Sequence, residues 1–564
     1  TTRAMNLNYN AAFVQDDFKV NSKLTVNIGL RWDREGPTSE RHDKIYFWNP
    51  DAASLFSINP GYSWTGALAA AGLPTDLPAP SWVTNGMPKG AINMPNTPAY
   101  KDREFQQINS HQFAPRLGLA YQLDSKTVLR ASGGLMYLPT TGDANGFASS
   151  NSSLALTNAA NAGWHTSTDG MRHFISTWDN PFPLPGMITN YTRDTLLANQ
   201  QSSKDPGVSA FNKNMHMPRE YTWMASVQRQ LPLGWVVEAG YSANRGLGLL
   251  APDLISRYPA ALFNQTYGKY MTTAVQSPNA GQTQTNTITG PTQLLGILEY
   301  AYPQYGPVNV LGSNLGSSFY NSFNVRLEHR MSHGLSFLLN YTYSHMLDDV
   351  GGPEADTSGG MTSTGNGGKT PQSIYTFAST WGLSANDQPH RLVLTYVYEL
   401  PLGRGKRWLG SPESMGQKIL DRIAGGWQFS GNTSYTSGTP VTWWGTATVN
   451  TNHTVKVETT YGSYASSDHD LGNSAYAGDS KALLSPSMAP SSGVSRFAAS
   501  KMVTAMPFVA GNLPAVDPSL RNPSFTQTDL SLMKNFYITG EKRYLQIRAE
   551  GQNAFNIRGY GTYN

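Results

Sequence analysis

Two sets of side chains in this sequence have the composition of a cation site. His165, His173 and Asp179 fall within fifteen residues, and imidazole with carboxylate is a donor set that suits transition metals. Asp348, Asp349, Glu354 and Asp356 surround Gly351-Gly352-Pro353, oxygen donors on a turning backbone of the kind that binds Ca²⁺. Neither set has a ligand spacing that singles it out. Eleven His in 564 residues make such proximity ordinary, and a solvated acidic loop is the simpler reading of the second set. No metal ligand and no cofactor is therefore assigned. Nucleophile-elbow, zinc-protease, P-loop and EF-hand spacings are absent. Cysteine is absent too, which removes thiol catalysis, thiolate metal sites and disulfides. No catalytic residue is assigned, and the chain is not expected to be an enzyme. A third set consists of charges: Arg31, Asp33, Arg116, Arg130, Arg326, Glu328, Arg330, Arg391, Arg548 and Glu550. These act together only if the backbone brings them to one surface.

The elements that would do so are strands. Leu24, Val26, Ile28, Leu30 and Trp32 alternate with Thr25, Asn27, Gly29, Arg31 and Asp33, and a strand sends alternate side chains to opposite faces. Twelve such runs pair into six hairpins: Asn6–Val20 with Lys23–Asp33, Gln112–Leu123 with Thr127–Leu138, Glu220–Leu231 with Trp235–Arg245, Ser318–Met331 with Leu335–Met346, Pro389–Leu400 with Trp427–Ser437, and Ser524–Ile538 with Lys542–Phe555. Five joints are a few turn-forming residues, such as Asn21-Ser22 and Thr539-Gly540-Glu541. The joint between Leu400 and Trp427 differs. Ser411 as N-cap, Pro412 at the first helical position, and Met415, Ile419 and Ile423 at spacing four predict a short amphipathic helix closed by Gly425-Gly426.

At the other end of the hairpins the connections are long. Segments 36–111, 139–218, 248–317, 348–387 and 439–522 together hold 350 of the 564 residues. Connections of that size are uncommon inside compact domains. Short turns at one end and long loops at the other are the pattern of an outer-membrane β-barrel, with the loops extracellular. Charged residues make up 14% and mean hydropathy is -0.39, so uncharged polar residues carry the polarity. Aromatic content of 11% argues against disorder. A net charge of +4, scattered along the chain, argues against a nucleic-acid partner. No apolar run is long enough for a transmembrane helix.

Parity assigns the faces. Trp235, Val237, Ala239, Tyr241 and Ala243 oppose Glu238, Gly240, Ser242 and Asn244; Leu335, Phe337, Leu339, Tyr341 and Tyr343 oppose Ser336, Asn340, Thr342 and Ser344. Bulky aromatics near strand ends suit the two membrane interfaces. Apolar parity faces lipid and polar parity faces the lumen, because Arg or Lys at the lipid midplane costs about 2–4 kcal/mol. The ten charges above then line the lumen, either guiding a solute or contacting a plug, or forming a cross-strand ladder in a wet interior. The ladder is the preferred reading. A soluble sheet with a buried core is the competing fold, disfavoured because no helical layer covers six hairpins. Trp164, Trp178, Trp443 and Trp444 in the loops could stack on a ligand or pack the loops together. No residue is assigned to substrate binding.

Several phrases resemble the barrel of TonB-dependent outer-membrane transporters of the Oar-like group: Phe13-Val14-Gln15-Asp16-Asp17-Phe18, the run Leu24–Trp32, Phe113-Ala114-Pro115-Arg116-Leu117-Gly118, Asn386-Asp387-Gln388-Pro389-His390-Arg391, Gly426-Trp427-Gln428-Phe429-Ser430-Gly431, and Arg548-Ala549-Glu550 through Asn553-Ala554-Phe555-Asn556. The resemblance covers most strands and few loop residues. It implies an all-β, antiparallel transmembrane barrel, about twelve strands here within a total of about 22, in the bacterial outer membrane. It implies active uptake powered by the TonB complex acting on a plug. The whole chain, 1–564, reads as barrel segment, with no plug, TonB box or carboxypeptidase-regulatory-like domain visible. Strand count leads to the expectation that nine strands precede and one follows, and that the open edges meet further strands or another chain. The alternative function is a surface adhesin or assembly platform built on the same wall.

Overall fold

The structure is a computed structural model. It describes residues 5–139, 209–282, 290–349, 381–442, 465–467, 502–504 and 516–557, apart from isolated positions and runs of at most four residues within those spans. One antiparallel sheet dominates. Its strands are β1 (Tyr9–Lys19), β2 (Leu24–Glu35), β3 (Asn109–Asp124), β4 (Thr127–Tyr137), β5 (Arg219–Gln230), β6 (Trp235–Leu254), β7 (Asn309–Ser332), β8 (Leu335–Asp348), β9 (His390–Glu399), β10 (Trp427–Thr436), β11 (Phe525–Thr539) and β12 (Arg543–Gly551). Each pairs with its sequence neighbours in unbroken order. Among the described residues β1 and β12 do not pair with each other, so the sheet is an open wall.

The register carries the alternation across strands. Val237, Leu327, Leu339 and Leu394 are successive partners, forming one aliphatic row over four strands. Gly240, Asn324, Thr342 and Arg391 form a row of the opposite parity. Because side-chain period is two, a slip of one residue on any strand would mix these rows. Aromatic side chains cluster at both ends of the apolar face. Trp235 lies 5.5 Å from Phe337 at the turn end, and Tyr343 lies 5.2 Å from His390 at the loop end. Asp16 shares a row with Ile28 and is a mid-strand exception on the edge strand.

Local chemistry closes the turns. Asn21 Oδ1 accepts the backbone N–H groups of Lys23 and Leu24 at 2.8 and 2.9 Å, and Asp124 Oδ1 accepts that of Lys126 at 2.7 Å. Two expectations need correction. β6 and β7 each run about nine residues further toward the loop end than the alternation indicates, because register shifts between Leu247 and Asp253 interrupt the pattern without ending the pairing. The helix after β9 begins later than Ser411 and Pro412, which lie outside the described residues: Ser414 caps Met415–Ala424. Ser414 Oγ accepts from Gln417 N at 3.2 Å and Gln417 Oε1 accepts from Ser414 N at 3.1 Å, so the two residues satisfy each other's otherwise orphaned donors.

The long connections supply the only densely packed apolar core among the described residues. It contains α1 (Trp64–Ala70) and α2 (Ser81–Asn85) from one connection and α3 (Leu295–Leu298) from another. Leu68, Trp82, Leu262, Met271, Leu295 and Leu298 are almost fully buried in it. Trp82 Nε1 donates to Leu298 O at 2.7 Å, and Asn59 Nδ2 donates to Ala280 O at 2.9 Å. Segments more than 200 residues apart in sequence thus form one cap on the loop end of the wall.

Candidate functional site

All ten charges of the third set lie on the polar parity of the wall. Their pairing runs along strands rather than across them, which corrects the expected ladder. Arg31 Nε meets Asp33 Oδ1 at 2.8 Å, Arg326 Nη2 meets Glu328 Oε2 at 2.8 Å, Arg330 Nε meets Glu328 Oε1 at 3.3 Å, and Arg548 pairs with Glu550. The reason is what stands opposite. Arg31 faces Phe13 and Ala114, and Arg548 faces Met533, so the nearest opposite charge is two residues along the same strand. Arg326 does stand opposite Glu238, yet its guanidinium turns to Glu328. Arg130 instead donates to Gln228 Oε1 at 2.7 Å.

Beside the opposed pair Glu238 and Arg326 the polar face holds a recess of about 310 Å³, also lined by Ser226, Ser242, Asn324, Asn340 and Thr342. Gly240 opens it, since a Cβ there would stand 3.0 Å from the Cβ of Ser226. A hydrogen-bonded chain forms its side. Thr342 Oγ1 donates to Asn324 Oδ1 at 2.9 Å, and Asn324 Nδ2 donates to Ser242 Oγ at 3.2 Å. The recess thus has fixed hydroxyl and amide groups flanked by one charge of each sign.

At the loop end, two buried carboxylates tie connections to the wall. Asp387 Oδ1 accepts from Met346 N at 2.7 Å, and its Oδ2 accepts from Arg521 Nη2 at 2.6 Å. His345 Nδ1 lies 3.3 Å from the same carboxylate. Asp349 accepts from Ser317 N at 2.6 Å and Ser317 Oγ at 2.8 Å. Burial pushes Asp349 above the usual carboxylate range, although the Ser317 donors pull the other way. In the cap, Glu299 is 2% exposed and its Oε2 has no hydrogen-bond partner among the described residues. Burial pushes its carboxyl up to about 8.

Of the two cation sets, His165, His173, Asp179, Glu354 and Asp356 lie outside the described residues, as do Trp164, Trp178, Trp443 and Trp444. Asp348 ends β8 and Asp349 follows it, engaged by Ser317. Reading the sequence missed Glu220, Glu399 and Asp529, which parity also places on the polar face, and it placed Glu238 on that face without counting it among the lumenal charges. It missed Glu299 and the Asp387–Arg521 clamp as well. The phrase Asn386–Arg391 contained half of that clamp, but its partner is 134 residues away.

The chain belongs to the outer membrane beta barrel domain family, which it matches along residues 1–564. No curated protein matches the sequence. Similar solved structures include FpvA of P. aeruginosa bound to heterologous pyoverdines, at 10% identity and a TM-score of 0.35, with 98% of this chain and 35% of that one covered. The siderophore receptor PiuA from Acinetobacter baumannii gives 8% identity and a TM-score of 0.35, covering 98% and 40%. The outer membrane transporter YddB from Escherichia coli gives 8% and 0.36, covering 98% and 51%. This chain spans between about a third and a half of the length of these proteins. Family membership sets the environment: the protein is an outer-membrane β-barrel, its apolar face meets lipid, and its polar face lines the lumen.

Proposed function

We propose that the protein is a TonB-dependent outer-membrane transporter that captures a solute at its loop-end cap and passes it through a lumen gated by a plug. The observation that carries this reading is the wall itself. Among the described residues twelve successive strands form one antiparallel sheet whose outer strands β1 and β12 do not pair with each other, and barrels of about 22 strands enclose a plugged lumen. Support also comes from the phrases that resemble the TonB-dependent group, which fall on β1, β2, β3, β10 and β12 and on the clamp before β9. The lumenal recess, with fixed polar groups beside the opposed pair Glu238 and Arg326, is a surface on which a plug or solute can form hydrogen bonds. The long loops then lie outside the cell, and the energy-transducing partner is the TonB complex in the periplasm.

The test uses the intact gene in its own cells. Solute depletion from rich medium is profiled by mass spectrometry in the parent, in a deletion of this gene and in a deletion of the TonB protein. The expected result is a shared set of solutes left in the medium by both deletions. If no solute depends on this gene while cell-surface attachment does, uptake is not its role.

A further inference from the structure

Among the described residues, the helix between β9 and β10, α4 (Met415–Ala424), is bonded to the wall at its C-terminal end. Trp427 Nε1 donates to Ile423 O at 2.9 Å. Lys534 donates to Ile423 O at 3.3 Å and to Gly425 O. Trp427 and Lys534 are register partners, and Lys534 also pairs with Ile547. Their row has the parity of Phe429, Leu532 and Ala549, which is the lipid-facing parity. The helix C-terminus is therefore held on the outer surface of the barrel at its turn end, not under the lumen. The Lys534 ammonium also complements the negative end of the helix.

Helical spacing then divides α4 into three strips. Asp421 and Ala424 are its partly buried residues, and Asp421 Oδ1 lies 3.0 Å from where a Cβ on Gly403 would stand, so this strip faces the chain. Met415, Ile419, Leu420 and Ile423 are 74%, 55%, 48% and 65% exposed and occupy one continuous arc facing away from it. Lys418 and Arg422 border that arc, and both are exposed. A broad apolar arc beside a cationic strip is the form of a helix lying in a membrane interface.

We propose that α4 lies flat in the periplasmic-leaflet interface of the outer membrane, with Met415, Ile419, Leu420 and Ile423 among acyl chains and Lys418 and Arg422 at anionic phospholipid headgroups. Two observations select lipid as the occupant. The apolar arc continues the lipid-facing surface of the wall, to which Trp427 and Lys534 tie it. The cationic strip complements the anionic headgroups at that depth. A helix so seated fixes the rotation and depth of the β9–β10 hairpin.

The chain has no cysteine, so single nitroxide labels can be placed at Ile419, Ile423, Lys418 and Arg422. The labelled protein is reconstituted at low density in phosphatidylethanolamine–phosphatidylglycerol vesicles. Collision with oxygen, which partitions into lipid, is compared with collision with a water-soluble nickel chelate. The expected result is several-fold more oxygen than chelate contact at 419 and 423, and the reverse at 418 and 422. Replacing phosphatidylglycerol by phosphatidylcholine should bring the labels at 419 and 423 closer to water. Chelate contact at all four positions would overturn the proposal, as would spin–spin broadening at 419 that reveals a second copy on the apolar arc. If a label at 419 disturbs folding, Met415 and Leu420 provide the same reading.

Discussion

Replacing Glu299 by Gln should stabilise the cap at neutral pH. The carboxyl of Glu299 titrates near 8 in the folded cap, against an ordinary value of 4.5. Between those values the unfolded cap has lost this proton while the folded cap retains it, so stability falls as pH rises. The contribution is fully present below about pH 4.5 and declines by about 1.4 kcal/mol per pH unit up to about 8. At pH 7 the loss is about 3 kcal/mol relative to pH 4.5. Glu299 is almost completely buried, so solvent screening does little to reduce that figure. Glu299→Gln keeps the shape of the protonated acid and removes the titration. Hydrogen exchange of peptides covering α3, corrected for intrinsic rates, reads the local opening free energy. Protection in the parent should fall by about two orders of magnitude between pH 4.5 and 7, while the variant stays flat. Equal pH dependence in the two proteins, or weaker protection in the variant at pH 7, would refute the reasoning.

Asp387→Asn should cost about 1.5–3 kcal/mol, the range for a hydrogen bond to a charged group. A double-mutant cycle with Arg521→Gln, followed by urea titration of the tryptophan signal, should give a coupling above about 0.5 kcal/mol. Leu68→Ala leaves a cavity in the cap core and should destabilise it by about 2–5 kcal/mol; limited proteolysis should then cut segment 36–108 faster while heat-modifiable gel mobility of the wall is unchanged. Epitope tags inserted in segment 139–218 or 439–522 should bind antibody on intact cells, whereas a tag at Ser125 should bind only after the outer membrane is permeabilised.

The wall was legible in the sequence because a sheet face is written at period two. Leu335 to Tyr343 shows its partition between lipid and lumen with no knowledge of its neighbours, and asparagine or aspartate at Asn21 and Asp124 marks the turns. What stayed hidden depends on contacts between distant segments. Trp82 packs against α3 across 216 residues, as its bond to Leu298 O shows, and neither segment has a period long enough to reveal the pairing. Asp387 and Arg521 meet only because β8, β9 and β11 stand where the sheet puts them. The charge pairing was misjudged for a related reason. Parity identifies a face, but the residue opposite Arg31 or Arg548 depends on register, which a single strand does not encode. The outer β6–β7 ribbon was cut short because Gly246, Gly248 and Pro252 break the alternation while backbone pairing continues past them.

The most direct test of the account is the facing of β8. Single cysteines at Phe337, Leu339, Asn340 and Thr342 can be labelled in native outer membranes with a membrane-restricted maleimide and with a water-soluble one. Membrane-phase labelling is expected at 337 and 339, and aqueous labelling at 340 and 342. Aqueous labelling at 337 and 339 with membrane-phase labelling at 340 and 342 would contradict that facing.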